Sequence, residues 1–585
     1  MTASSKIWRL APNDPTAAAR LAREARLSET VARLLINRGV TEANTARRFL
    51  DGPLSDLHAP GLLPNLAAAA ERLLNAIRER KSIWIYGDYD ADGVTGTSIL
   101  VNLCRVLGNS AKYYIPNRLQ EGYGLNKAAL DEMQADGAQL VITVDCGITA
   151  IQEADHANQI GLDLIITDHH EMKERLPPAR EVVHPRLPGS PYPFAGLCGA
   201  GVAFKLAWAV AMQASGSERV TPDLREYLLD ATGLAALGLV ADVMPLHDEN
   251  RILVRKGLER IISKPSMGLA ALIETSGLKQ AKTIQAEDVA YKLAPRLNAA
   301  GRLGCARLVV ELLTTQNAAR AQEIAEYLNG QNTQRQSIER KIGYQARERI
   351  AAHHLDAGRS LVLESSEWHA GVIGIVAGRL CEQYARPTIL IACGQGLDPA
   401  SGSGRSPMGC PLHELLESCS DLLISHGGHA AAAGLKIEPA KVPAFRDRFE
   451  KVVAERFPNG LPPAILSLES ELPIASLTIG LLKEIHKLEP YGFGNPRPRF
   501  LASDLTVSEP KKIGQGDRHL SFRVQQNGTS MRAVAFGKGD ELDRLMSQNG
   551  KCCLAFTPKV NTFNGWQKIE LEVIDFIPGP NPMLG

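Results

Sequence analysis

Alternating strands and helices followed by a closing run of strands predict a multidomain α/β protein that ends in a β-barrel. Three observations carry this expectation. Short β-rich runs recur roughly every 20 to 30 residues between residues 82 and 184, with helical patterns between most of them, which is the period of βαβ units and of a mostly parallel sheet. From Ala306 to His354 the chain is poor in Gly and Pro and keeps apolar residues at helical spacing, as in one long helix or a pair. Beyond the break LPPAILSLESELP, five β-rich segments are separated by turn signals at barrel-like intervals. At 585 residues the chain is too long for one hydrophobic core, and about three or four domains are expected.

Taken in order, residues 1–49 read as a helical segment. Residues 50–305 read as the first α/β domain, with strands in SIWIYG (from Ser82), KYYI (Lys112), LVITV (Leu140), DLIIT (Asp163) and EVVH (Glu181), and helices in TGTSILVNLCRVLG and ITAIQEADHANQIG. Residues 306–355 form the helical linker, and 356–458 a smaller α/β domain, with SLVLES, the helix GVIGIVAGRLCEQY, the strand TILIA and a last helix before Phe457. Residues 459–585 carry RFLASDLTV, LSFRVQQ, MRAVAFG, CCLAFTPKV and QKIELEVIDF, the pattern of an OB-fold barrel.

Composition excludes several classes. With 44% hydrophobic and 22% charged residues and no long apolar segment, a membrane-spanning helix is not expected. The start MTASSKIWRL has no apolar signal core, so a cytoplasmic protein is expected. The ten cysteines fall in no CxxC pair and read as reduced thiols. A net charge of +1 rules out a bulk cationic surface but allows a basic groove offset by acidic faces.

The chemistry is expected where strands end. In IWIYGDYDADG, Asp88, Asp90 and Asp92 follow an apolar strand at alternating positions. Clustered carboxylates repel unless a cation sits among them. LVITV ends in Asp145 and DLIIT in Asp168-His169-His170, so three strands deliver acid or imidazole to one edge of one sheet, where α/β proteins place their sites. Asp242 adds a carboxylate within the apolar segment AALGLVADVMPL. Each alone reads as a cap or a buried hydrogen-bonded pair; together they suit Mn²⁺ or Mg²⁺ rather than structural zinc. Such a set can hold two metals about 3.5 to 4 Å apart, which activate water and stabilise a transferring phosphoryl group. Phosphoester hydrolysis is the implied reaction.

DYDADG, Asp145, the triplet DHH and Asp242 resemble the four motifs of the DHH phosphoesterase superfamily. PNRLQEGYGL, LCGAGVAFK, APRLNAAGRLG, WHAGVIGIVAGRL, SGSGRS and SHGGHAAAAG, in this order, extend the resemblance to its single-strand-specific 5′-to-3′ DNA exonucleases. The resemblance implies two-metal hydrolysis of single-stranded DNA to 5′-mononucleotides, in repair and recombination. It implies Asp90 and Asp92 on different metals, Asp145 bridging them, His169 and Asp242 completing the set, and Asp88 as a ligand or a supporting acceptor. His170 would orient a ligand or contact the scissile phosphate. Several superfamily relatives have a histidine ligand four residues before the first metal-binding aspartate, where this chain has Tyr86.

By the same resemblance the second α/β unit is a DHH-associated domain that narrows a channel to the metals. Small residues in SGSGRS and SHGGHAAAAG would let backbone N–H groups approach a phosphate, with Ser403 and Arg405 supplying a hydroxyl and a charge. Further DNA or 5′-phosphate contacts are expected from Arg118, Tyr123, Arg296, Asn298, Arg302, His369, Arg379 and His429. In the barrel, Phe563 and Trp566 are expected to stack on bases and Lys559 and Lys568 to meet phosphates. A monomer is expected, with a helicase and a single-strand-binding protein as partners by family analogy alone.

Overall fold

The computed structural model describes residues 6–117, 121–394, 398–563 and 566–580. The first α/β unit is built on five parallel strands in the spatial order Lys112–Tyr114, Ile83–Gly87, Leu140–Val144, Asp163–Thr167, Glu181–Val183. The two strands Ile83–Gly87 and Leu140–Val144 are buried along their whole length, as apolar strands covered on both faces must be. Alternate residues feed separate cores. Ile83, Ile85, Ile142 and Ile165 join the helices Ala91–Val106, Gly199–Ser215 and Pro222–Ala241. Trp84, Tyr86, Val141 and Ile166 pack on the opposite face with Leu130 and Ala154, from the helices Lys127–Ala135 and Ile151–Gln159.

The linker consists of a short helix, Arg307–Thr314, and a single 35-residue helix, Ala318–Ala352. The second unit has the strand order Ser425–Gly428, Ala432–Ile437, Ala400–Arg405, Thr388–Ala392, Leu361–Ser365, and only the last pair is parallel. In the C-terminal region the strand Phe500–Ile513 pairs with both His519–Gln526 and Lys551–Phe563, which closes the barrel.

The N-terminal segment is not an independent helical piece. Its strand Ile7–Leu10 pairs in parallel with Ile465–Leu468. Leu21, Leu34, Leu35 and Leu50 share one core with Phe500, Phe522 and Phe576 of the barrel. The two chain ends thus bury their apolar faces in each other. Arg251 locks this assembly to the first unit: its guanidinium is buried against Phe49 and donates to the carbonyls of Phe49, Lys487, Leu488, Glu489 and Pro490. Burial lowers it to about 9, although the carbonyls satisfy its donors.

Candidate metal centre

The loop after Ile83–Gly87 runs into the helix Ala91–Val106, and Asp90 caps that helix by accepting from the N–H groups of Asp92 (2.9 Å) and Gly93 (3.1 Å). Asp92 lies inside the first turn, 1% exposed. Its carboxylate accepts from the N–H groups of Gly199 (2.6 Å) and Ala200 (2.9 Å) at the start of another helix, where free N–H groups and the helix dipole favour an anion. Two glycines make this approach possible. A Cβ at Gly199 would lie 2.4 Å from Cβ of Asp145, and one at Gly238 would lie 2.5 Å from an Asp92 oxygen.

Asp145 ends its strand at φ 65°, in the left-handed region, a sparsely populated conformation for a non-glycine residue that the surrounding structure must enforce. Next to it, Asp168 is 1% exposed and accepts from the N–H groups of Ile148, His169 and His170 and from Nδ1 of His170 at 2.7 Å. Burial alone would raise Asp168, but the bond and charge of His170 outweigh it and hold the carboxyl below its usual range. For His170, burial pulls down while Asp168 pulls up, and the result is about 9. His184 fixes this loop further, with Nε2 2.8 Å from the His170 carbonyl.

Nε2 of His169 lies 3.0 Å from Asp145 Oδ1, 3.6 Å from Asp242 Oδ2 and 3.8 Å from Asp92 Oδ2. Both His169 Nε2 and Asp145 Oδ1 are buried without a hydrogen bond, a costly state for polar atoms unless something else binds them. Ligand atoms of Asp88, Asp90 and Asp145 lie within 4.8 Å of one another, as do those of Asp92, His169 and Asp242, and those of Asp145, His169 and His170. Burial, and then Asp92 and Asp90, raise Asp242 to about 8. Burial followed by the other aspartates pushes Asp145 well above its ordinary range. An oxygen-rich cluster with imidazole that cannot ionise comfortably by itself fits a pair of hard divalent cations.

Tyr86 faces away from this cluster: its hydroxyl donates to the Gly124 carbonyl at 2.8 Å and its ring stacks on Tyr114. Tyr123 does reach the site, with its hydroxyl 3.1 Å from His170 Nδ1 and 3.3 Å from the Asp145 carbonyl. Asn298 supports the aspartate loop, since its Oδ1 accepts from Ala91 N–H at 2.8 Å. Arg302 donates to the Gly371 carbonyl at 2.8 Å, joining the two α/β units. Arg296 is held by Asn329 and the Lys292 carbonyl. His369 caps the helix Ala370–Tyr384, and Arg379 pairs with buried Glu339 at 2.6 Å. His429 sits in the hairpin of the second unit, its backbone N–H donating to the Ala432 carbonyl at 2.8 Å. Arg118 lies outside the described residues, as does the side chain of Phe563.

SGSGRS is a central strand paired on both sides, not a loop, and its backbone N–H groups are committed to the sheet rather than to a phosphate cradle. SHGGHAAAAG spans the hairpin beside it. Its side chains Ser403 and Arg405 project toward the helix Ala370–Tyr384, where Gly374 leaves room for both, and Arg405 donates to Ser403 Oγ at 3.3 Å and to the Gly404 carbonyl at 2.7 Å. In the barrel Trp566 is 77% exposed, Lys559 pairs with Glu572, and Lys568 stands opposite Asn561.

Sequence reasoning did not assign roles to Asp168, Gly199 or Gly238. LCGAGVAFK entered the sequence reading only as a motif of the resemblance, and the carboxylate that its N–H groups receive lies 107 residues upstream.

A parallel sheet that presents carboxylates and imidazoles at its strand ends, joined by a helix to a second α/β unit, defines a DHH-type phosphoesterase. Residues 82–234 match the DHH family N-terminal domain, 358–455 the DHHA1 domain and 468–575 the RecJ OB domain. The chain belongs to the RecJ family. It is 35% identical to the single-stranded-DNA-specific exonuclease RecJ of Bacillus subtilis, over 98% of this chain and 71% of that protein. It is 35% identical to that of Escherichia coli, over 95% and 96%. Among solved structures, RecJ from Thermus thermophilus in complex with Mn²⁺ superposes with a TM-score of 0.83 at 34% identity, covering 98% of this chain and 80% of that one. The Mg²⁺ complex gives 0.77 at 33% identity, covering 98% and 79%.

Proposed function

We propose that this chain is a metal-dependent exonuclease that hydrolyses single-stranded DNA from its 5′ end and releases 5′-mononucleotides. The observation that carries the reading is the cluster of buried Asp88, Asp92 and Asp145 with partly buried Asp90, His169 and Asp242, in which Asp145 Oδ1 and His169 Nε2 are left without hydrogen bonds. Two divalent ions, Mn²⁺ or Mg²⁺, are its cofactors, and when bound they supply an activated water and neutralise charge on the phosphoryl oxygens. Asp88, Asp90 and Asp145 would hold one, and Asp92, His169 and Asp242 the other, with Asp145 shared. Asp168 holds His170 toward the site, and the exposed edge of His170 would contact the scissile phosphate. Ser403 and Arg405 would receive the terminal 5′-phosphate, and Tyr123 the first base. Arg118, Arg296, Asn298, Arg302, His369, Arg379 and His429 would line or brace the channel, with Trp566 and Lys568 along the barrel. The relatives are named as specific for single-stranded DNA, and the closed barrel suits that substrate. The cytoplasm is the corresponding location, with a helicase and a single-strand-binding protein supplying and covering the strand in repair and recombination.

The test is end-labelled single- and double-stranded oligonucleotides, with and without a 5′-phosphate, incubated with Mn²⁺. Mononucleotides should leave single strands from the 5′ end, and Asp145→Ala should release none. Release from 3′ ends would overturn the polarity, and cleavage of duplex at an equal rate would overturn the strand selectivity.

A further inference from the structure

A cleft of about 310 Å³ opens beside Asp242, between the first α/β unit, the long helix and the helix Ala370–Tyr384. Val243 lines it, 64% exposed and at φ 56°. A β-branched residue rarely adopts this conformation, and such strain gathers at functional sites. Tyr291 lines the same cleft and, at 79% exposure, is the most exposed aromatic side chain among the described residues. It sits in the middle of a single π-turn, Val289–Leu293, inside an otherwise α-helical stretch. Such turns are rare and recur at functional sites, because the extra residue re-aims a side chain.

On the long helix, Arg335 also lines the cleft. Its guanidinium is held by Glu339 and Asn332, each at 3.0 Å, while Nε is buried without a hydrogen bond. Glu339 is 3% exposed and also pairs with Arg379 at 2.6 Å. One buried carboxylate therefore orients two guanidinium groups and leaves the pair with net positive charge. An open aromatic face beside a fixed guanidinium is the combination that binds single strands, the ring taking a base and the cation a phosphate.

We propose that Tyr291 and Arg335 form a nucleotide subsite beside the metal centre, with a base stacked on the Tyr291 ring against Val243 and the adjoining phosphate on Arg335. The proposal rests on the single-strand reading above and adds the residues that grip the strand near the metals. Glu339 is a positioning residue in it.

The test measures binding of a 5′-phosphorylated oligonucleotide by fluorescence anisotropy, with Ca²⁺ present, for wild type, Tyr291→Ala, Tyr291→Phe and Arg335→Gln, with thermal melting to check folding. Tyr291→Ala should weaken binding roughly fivefold or more, and Tyr291→Phe should keep it, because the ring and not the hydroxyl carries the contact. An abasic residue is then walked along the oligonucleotide. At one position it should weaken wild type by a similar factor and leave Tyr291→Ala unaffected, a coincidence that loss of fold cannot mimic. Arg335→Gln should lower the salt dependence of binding. Equal binding by Tyr291→Ala and wild type, or no position at which the two losses coincide, would overturn the subsite. Hydrolysis is followed separately: a wild type that shows this binding pattern with Ca²⁺ but cleaves nothing with Mn²⁺ supports the subsite and sinks the nuclease reading.

Discussion

The two α/β units solve opposite electrostatic problems on related architecture. The first gathers carboxylates at the ends of parallel strands, and its helix N-termini and backbone N–H groups go to Asp90, Asp92 and Asp168. The second turns its central strand Ala400–Arg405 antiparallel to both neighbours and offers a hydroxyl and a guanidinium from the face of the sheet. The first therefore crowds negative charge that a cation would offset, whereas the second carries positive charge on its sheet face. On the function proposed above, a nucleic-acid phosphate placed between them would meet the metals on one side and arginine on the other.

The largest expected effect comes from removing the shared carboxylate. Asp145→Asn should lower the rate on single-stranded DNA by more than about 100-fold, since loss of even outer partners of a metal costs 10- to 100-fold. It should nevertheless leave the metal-free protein no less stable above neutral pH, as thermal melting would show. The metal-free wild type should lose stability as pH rises. Asp242, near 8 when folded and near 3.8 when unfolded, keeps a proton that the unfolded chain has released across that window. His170, near 9 when folded against 6.5, contributes stability that is complete below about 6.5 and lost through about 9. Melting temperatures that rise between pH 6 and 9 without metal would break the contrast between the units.

Asp168→Asn comes next. It removes the negative charge that holds His170 and turns one of the two acceptor oxygens into an NH₂ donor, which then faces either the Ile148 N–H or the N–H groups of His169 and His170 with Nδ1 of His170; a 10- to 100-fold loss of rate is expected, with Mn²⁺ affinity followed by calorimetry to separate the metal from the phosphate contact. Arg405→Ala should act on the other side of the substrate. It should raise KM about tenfold for 5′-phosphorylated strands and far less for 5′-hydroxyl strands, as loss of a charged hydrogen bond requires. A smaller effect is expected from Lys568→Ala on the barrel, which should lower the slope of log affinity against log salt by about 0.7 in single-strand binding.

Much of this was legible because strand ends advertise themselves. IWIYG, LVITV and DLIIT are apolar runs that stop at Asp88, Asp145 and Asp168, and the parallel register brings all three ends to one edge. The barrel was legible for a similar reason, from strands of regular spacing. SGSGRS was not, because Gly and Ser disfavour strands, and only pairing on both sides and the packing of Leu412 and Leu435 against its glycines hold it extended. The fusion of residues 7–51 with the barrel was equally hidden. An amphipathic helix shows which face it buries and not against what.

The amino-acid sequence by itself determined the kind of chemistry and the frame that carries it: oxygen and imidazole ligands at strand ends, an arginine-bearing second unit and a C-terminal β-barrel. The tertiary structure alone decided how the carboxylates are tolerated. Asp92 is held by N–H groups from a helix 107 residues away, Asp145 is forced to positive φ, and Gly199 and Gly238 leave room where any side chain would collide. Local patterns set which groups a chain offers, but burial and long-range backbone contacts set their charge and aim.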